Sequence, residues 1–375
     1  MKNRVAGRLA AASIAALVMG LAAAPAQAAP GEKIANSWIC VFKNDRVGKA
    51  DVKAKANAAA QAGGGSVKHV YTDAIRGFSA NMSEQGMNAM RRNNPGIAYC
   101  EQDQVVEGIP VTVQGKPGGV VAEAESIPWG ITRVNGGLSG AGKVAWVIDS
   151  GVQSNHPDLI VDKAKGAYFA GRSSEDENGH GTHVAGTIGA KGGNGIGVVG
   201  VAAGATIIPV RVLDRRGSGS NSGVIAGIDF VAKNGKPGQV ANMSLGGGVS
   251  TTLDNAVINA AASSGVVFAL AAGNETDNAN NHSPARANGT NVFTISAFDE
   301  NDTLASFSNV GNPPVDYSEP GVRVYSTYKG SSYATLSGTS MATPHFAGLV
   351  LLGAVRTDGT IKGDRDSTPD AIGVH

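Results

Sequence analysis

Cysteine is nearly missing from this chain. There are two among 375 residues, Cys40 and Cys100, and the last 275 residues carry none. Most of the chain therefore has neither a disulfide framework nor thiolate ligands for zinc. Charge is also sparse, at 16% of residues against a norm of about 25%. The formal net charge of +1 leaves no basic excess of the kind that marks a nucleic-acid binder. With 42% hydrophobic residues, the chain is also outside the compositional range of disorder. Beyond the first thirty residues no apolar run is long enough to span a membrane. Glycine is abundant instead, with 53 residues, about 14% against an average near 7%. It follows no collagen period and forms no low-complexity tract, so it points to tight turns and close backbone approaches.

The first residues have an evident purpose. Lys2, Arg4 and Arg8 precede an apolar run from Leu9 to Ala24, and Ala26-Gln27-Ala28 follows as a small-x-small site. This pattern predicts a secretory signal peptide over 1–28, cleaved after Ala28. The run is shorter than the roughly 20 residues of a membrane span, so an exported product with no membrane anchor is expected.

Residues 36–107 read as short alternating elements: strands at 38–42, 67–71, 77–82 and 97–106, and helices at 49–62 and 84–92. The order βαββαβ is the ferredoxin-like split arrangement, an α+β fold. Its first and last strands are neighbours, which puts Cys40 and Cys100 within bridging range. Two unrelated buried thiols are the other reading. Residues 108–126, with Pro110, Pro117, Gly118 and Gly119 and no apolar period, read as a linker. Charge changes sign there. Up to Val121 there are 14 basic and 8 acidic residues, and from Ala122 onward 17 and 22, a balance that favours association of the two parts.

From Lys143 onward, near-continuous apolar strands (143–148, 206–213, 240–245, 266–271, 292–297) alternate with helices (180–190, 222–232, 251–262, 339–355). Strands of this kind spaced by helices predict an α/β fold, a parallel sheet covered by helices on both faces. The last helix is apolar almost all round and should run through the core. Residues 356–375 are a short polar stretch that leaves open how the far edge of the sheet is closed.

Catalytic groups in such sheets collect beyond the carboxyl ends of strands. Asp149 stands at one such end, where a carboxylate is costly unless used. His180 and His183 lie in Asn178-Gly179-His180-Gly181-Thr182-His183. A spacing of three without HExxH or a cysteine partner argues against zinc. His180, between glycines at the helix start, is favoured as the working imidazole. Ser340 opens the buried helix, where unpaired N–H groups and the dipole favour developing negative charge. Asn274 presents an amide at another strand end. Singly, each of these has a plain alternative as a cap or turn residue. Jointly they follow the order Asp, His, Ser of one convergent class of nucleophilic triad.

The segments around these positions resemble the subtilisin-like serine peptidases, most closely the proteinase K branch. The resemblance rests on Asp149-Ser150-Gly151, His180-Gly181-Thr182-His183-Val184-Ala185-Gly186-Thr187, Ala271-Ala272-Gly273-Asn274 and Gly338-Thr339-Ser340-Met341-Ala342-Thr343-Pro344-His345. It covers roughly residues 128–348. The first third resembles the family's inhibitory propeptide, notably at Gly77-Phe78-Ser79-Ala80.

The resemblance implies a catalytic set of Asp149, His180, Ser340 and Asn274. It also implies a substrate groove of Gly217, Ser218, Gly219, Ser244, Leu245, Gly246, Ala271, Ala272 and Gly273. Those wall residues are small or apolar, which predicts a broad endopeptidase preferring apolar or aromatic residues before the scissile bond. A structural Ca²⁺ held by Asp316 and the Val292 carbonyl is implied as well, with no catalytic cofactor. The expected division is a signal at 1–28, a propeptide at 29–121 and a catalytic domain at 122–375. Self-cleavage is expected at Val121–Ala122, within three residues. Proteins and peptides are the implied substrates, the propeptide the intramolecular inhibitor, and a secreted monomer the product. The alternative is an inactive, protease-shaped binding protein.

Overall fold

The computed structural model describes residues 29–109, 112–114 and 124–375. The expected signal peptide and the Val121–Ala122 bond fall outside them. Among the described residues no helix is long and apolar enough to cross a membrane.

The first part alternates strands Lys33–Phe42, Ser66–Tyr71, Gly77–Asn81 and Ile97–Gly108 with helices Val52–Ala62 and Glu84–Asn93. In space the strands are antiparallel, in the order Ile97–Gly108, Lys33–Phe42, Gly77–Asn81, Ser66–Tyr71. Strand periodicity gives this sheet two apolar faces. Trp38, Cys40, Phe42, Phe78 and Ala80 pack with Val52, Ala56, Met87 and Met90 of its own helices. Ile39, Tyr71 and Val106 face the other way, into the core of the larger part. Cys40 stands opposite Cys100 in register, and the two are joined in a disulfide.

The larger part is an α/β fold with a mixed sheet flanked by helices. Six strands run parallel in the order Val315–Pro320, Val292–Phe298, Val267–Ala271, Val240–Met243, Val144–Asp149, Thr206–Arg211. Successive residues in one strand serve opposite layers. Ile148 and Val210 pack under helices Asn221–Asn234 and Thr251–Ser264, through Val224, Ile228, Leu253 and Val257. Val147 and Ile207 pack under helices His180–Gly189 and Thr339–Leu352, through Val184, Ile188 and Phe346. Both faces being dry, the strands need no polar alternation.

Three carboxylates fasten the smaller part to this body. Asp229, in the helix Asn221–Asn234, accepts the backbone N–H groups of Thr72 (2.9 Å), Asp73 (2.7 Å) and Ala74 (2.8 Å). Asp103 accepts from Ser222 N at 2.9 Å, and Glu101 from Thr252 N at 3.1 Å. These two acids meet the N-terminal turns of two helices, where unpaired N–H groups and the dipole favour anions.

One expectation needs correction, and the open question of the sheet edge is answered. The stretch 108–126 is not wholly a linker: Thr112–Gln114 forms a strand antiparallel to Ser332–Ser337. The polar tail is a hairpin, Arg356–Thr360 with Ala371–Val374, which extends the sheet beside Val315–Pro320 through the pair Ser318 and Ile372. Ile361, Ile372 and Val374 pack there on Phe298 and Leu304, and so close the edge.

Candidate active site

The carboxyl end of the strand Val144–Asp149 brings Asp149 and His180 together, while the Ser340 hydroxyl is hydrogen-bonded to Ser244 O and not to His180. Asp149, fully buried, ends its strand and receives His180 Nδ1 at 2.8 Å on Oδ1 and 3.0 Å on Oδ2. Ser150 N donates to the same Oδ1 at 2.6 Å, which fixes the carboxylate plane. The helix that starts at His180 can come this close only because of glycine. A Cβ on Gly181 would lie 2.1 Å from Gly151 O, and Gly151 itself has φ +100°. His180 is 6% exposed, and its Nε2 is buried with no hydrogen-bond partner. Burial pulls the imidazole pKa down, but the charge and hydrogen bond of Asp149, reinforced by Asp176, outweigh that and leave it raised above 6.5.

Asp176, which was not among the residues expected from the sequence, braces the Asp149–His180 pair. Its Oδ1 accepts Ser150 Oγ and the N–H groups of Asn178 and Gly179, and its Oδ2 accepts Thr182 N and Oγ1. It thus ties the loop before His180 to the strand end after Asp149. The available signal was an acid four residues ahead of a helix start, a position suited to capping. His183, in contrast, faces away from the pair. Its Nε2 lies 3.2 Å from Val324 O and 3.1 Å from Ala334 O, and burial pulls its pKa down to about 3.

Ser340 lies in the first turn of the buried helix Thr339–Leu352. Its hydroxyl donates to Ser244 O at 3.2 Å. Pro344 has no N–H to give the carbonyl four residues earlier, which is that of Ser340. Ser244 Oγ donates to it instead, at 2.9 Å. Asn274 is oriented from the same helix, its Oδ1 accepting Thr339 N and Thr339 Oγ1, each at 2.9 Å.

The groove is filled by the chain itself. Residues 105–108 lie between two strands and pair antiparallel with both: Ser218 with Glu107 and Gly219 with Val106 on one side, Leu245 with Gly108 and Gly246 with Glu107 on the other. Gly108 N donates to Gly217 O at 2.8 Å, and Ile109 N to Ser244 O at 3.4 Å. A Cβ on Gly108 would stand 3.7 Å from His180 Nδ1. Ile109, buried, lines the same small cavity as Ala271, Ala272 and Gly273. Burial of such a side chain is worth about 1.5–3 kcal/mol. Two expectations change here. The segment seated in the groove is 105–109, most of which precedes the stretch expected to be a linker. An acid, Glu275, also lines the pocket, though Asn309 Nδ2 donates to it at 2.6 Å.

Asp316 lies apart, on the strand neighbouring that of Val292. It keeps contact with solvent, yet desolvation pushes its carboxyl up to about 6, against a single N–H from Thr294 at 2.9 Å. No cluster of three or more acidic, histidine or cysteine side chains fit for a metal occurs among the described residues.

Residues 140–355 match the Subtilase family, and residues 35–108 match the peptidase inhibitor I9 family. The chain is 38% identical over 344 residues to Proteinase R of Parengyodontium album, covering 87% of this chain and 81% of that protein. It is 43% identical over 293 residues to an extracellular serine proteinase of Thermus sp. strain Rt41A, covering 77% and 68%. A cold adapted subtilisin-like serine proteinase of known crystal structure shares 45% identity, with a TM-score of 0.54 over 60% of this chain and 83% of that one. The chain belongs to the subtilase family: it is a subtilisin-like serine endopeptidase made as a zymogen, with an I9-type inhibitory propeptide at its head.

Proposed function

We propose that Ser340 is the nucleophile, His180 its general base and Asp149 the group that orients and charges the imidazole. Ser340 Oγ attacks the scissile carbonyl while His180 Nε2 takes its proton, and the same proton later goes to the leaving amine. The oxyanion is received by the Asn274 amide and the Ser340 N–H, an amide donor of this kind in this family being worth about 2.7–4 kcal/mol. One observation carries the reading: an extended peptide, the chain's own, is bound by its backbone to strands on either side and donates to Ser244 O, the carbonyl that also accepts the Ser340 hydroxyl. Backbone pairing of this mode tolerates varied side chains, which supports a broad endopeptidase. The small apolar walls Ala271, Ala272 and Gly273 favour an apolar or aromatic residue before the cut. A fluorophosphonate should label Ser340 once the propeptide is gone. Labelling absent, or found elsewhere, returns the alternative of an inactive binding protein.

The raised pKa of His180 gives a pH dependence. Only the neutral imidazole accepts the serine proton. We therefore expect kcat/KM of the matured enzyme to fall tenfold per pH unit below a midpoint that lies above 6.5. A midpoint below 6.5 contradicts the Asp149–His180 coupling.

The wider organisation belongs to the same proposal. Residues 1–28 serve as an export signal, 29–121 as a propeptide with a ferredoxin-like core, and 122–375 as a monomeric, secreted enzyme with no catalytic cofactor. Maturation at or near Val121–Ala122 is carried out by the protease itself. A structural Ca²⁺ would be held by Asp316 and the Val292 carbonyl. Asp316 suits this, because an exposed carboxylate with one amide donor, Thr294 N, keeps oxygen lone pairs for a hard cation. Chelator should lower the melting temperature of the mature enzyme and should do nothing further to Asp316→Asn. An unchanged melting temperature in the wild type rejects the site.

A further inference from the structure

A fully buried arginine stands beside the Asp149–His180 pair. Arg211 ends the strand next to that of Asp149, the two being partners in register, and it is 0% exposed. A buried guanidinium is costly unless its donors are met. Here all three nitrogens donate: Nε to Leu213 O at 3.1 Å, Nη1 to Glu175 O at 2.8 Å, and Nη2 to the Glu177 carboxylate at 2.9 Å. The last two acceptors flank Asp176 in the chain. Asp176 in turn holds Ser150 Oγ, the N–H groups of Asn178 and Gly179, and Thr182. The first acceptor belongs to Leu213, whose own N–H donates to Asp149 O at 3.2 Å. Its Cδ1 lies 3.3 Å from where a Cβ on Gly108 would stand, against the seated segment. Gly171 leaves room for the fork, since a Cβ there would lie 2.6 Å from Arg211 Cζ.

We propose that Arg211 is a positioning residue for the reaction: it locks the loop that carries Asp176 to the strand end beside Asp149, and so fixes where His180 presents Nε2. The inference rests on the roles of His180 and Asp149 proposed above. Arg211 gives up no proton and touches neither the seated peptide nor the reacting atoms. It acts through Asp176, which holds the start of the helix that His180 opens. Fork geometry matters here beyond charge. A planar guanidinium serves acceptors in three directions at once, whereas an ammonium is a point charge on a flexible stem. With the fork gone, the two neighbours of Asp176 are released, and its carboxylate and the helix start drift with them. A misplacement of about 1 Å at a catalytic group costs about a hundredfold in rate. Peptide binding comes instead from the backbone pairing of Ser218–Ser220 and Leu245–Gly247 with residues 105–108, which does not pass through this loop. The loss therefore falls on kcat and spares KM.

The test is steady-state peptide hydrolysis by matured wild type, Arg211→Lys and Gly171→Ala, each shown to be folded by circular dichroism at the assay temperature. Gly171→Ala keeps the arginine and pushes it aside, and it lies in an exposed turn, so it decides alone if Arg211→Lys does not fold. Displacement of the guanidinium is what the two share. We expect kcat to fall about a hundredfold in Arg211→Lys and about tenfold in Gly171→Ala, with KM changed by less than about threefold. Because the arginine acts through Asp176, the double variant Gly171→Ala/Asp176→Asn should be no slower than the slower of its two single variants. A merely structural arginine would lower the melting temperature and leave kcat of the folded enzyme alone. Wild-type kcat in either folded variant, a loss carried by KM, or a double variant slowed by the product of the single factors overturns the proposal. Asp149→Asn is run alongside. If it loses about 10⁴ in kcat while the other variants lose nothing, only the role of Arg211 is lost. If it keeps wild-type activity, the roles given to Asp149 and His180 fail.

Discussion

Ser340→Ala should lower kcat on a peptide substrate by about 10⁶, the magnitude known for triad nucleophiles of this family. The fold should survive. The substitution removes one hydrogen bond, from Ser340 Oγ to Ser244 O, and that carbonyl keeps Ile109 N as a donor. The loss of a single bond of this type costs about 0.5–1.5 kcal/mol. Binding and the oxyanion donors remain, so a residual rate about 10³–10⁴ above water is expected. The purified variant should stay a single chain, because nothing is left to cut it, yet mature when wild-type enzyme is added. Peptide hydrolysis, circular dichroism and gel analysis of the same preparation report the three effects. Maturation of the purified variant at the normal rate would show that processing is not the chain's own work.

The second large effect is expected from Asp149→Asn, about 10⁴ in kcat. The shape is preserved, since Ser150 N still finds an oxygen at the position of Oδ1. The chemistry is not. An amide can present N–H to His180 Nδ1, which drives the ring proton to Nε2, the atom that must accept from Ser340. The charge that raises the His180 pKa also disappears, while the burial that lowers it stays. The kcat/KM midpoint should therefore move to lower pH as the plateau falls. A pH–rate profile of the matured variant separates the two changes. A plateau within tenfold of wild type would remove Asp149 from the mechanism.

Several of these features were legible in the residues alone. The apolar runs of the central strands gave themselves away because both faces are covered, and Asp149 was conspicuous as a charge at the end of one. Element order put Cys40 and Cys100 on neighbouring strands, within bridging range, and the register that faces them is seen only in the fold. Other features left no local trace. Thr112–Gln114 is three residues long, sits among prolines and glycines, and pairs with a partner more than 200 residues away. The strand Arg356–Thr360 is exposed at every position, so no alternation marks it. Glu275 is charged and next to Asn274, yet only the folded loop shows it on the pocket wall. That residues 105–109 occupy the groove could not be read from periodicity, because the same backbone pattern serves a sheet and a bound substrate equally well.

The single disulfide has a practical consequence. Both cysteines of the chain, Cys40 and Cys100, are spent in that bond, and both lie in the part that inhibits. Closing a loop of this length constrains the unfolded module by about 4 kcal/mol on the chain-entropy estimate. The catalytic body carries no sulfur that thiol reagents attack. Redox conditions therefore act on the restraint and leave the engine alone. In a reducing medium the smaller module loses its staple and its grip loosens, whereas the processed enzyme works on unchanged through reductant, mercurial or maleimide.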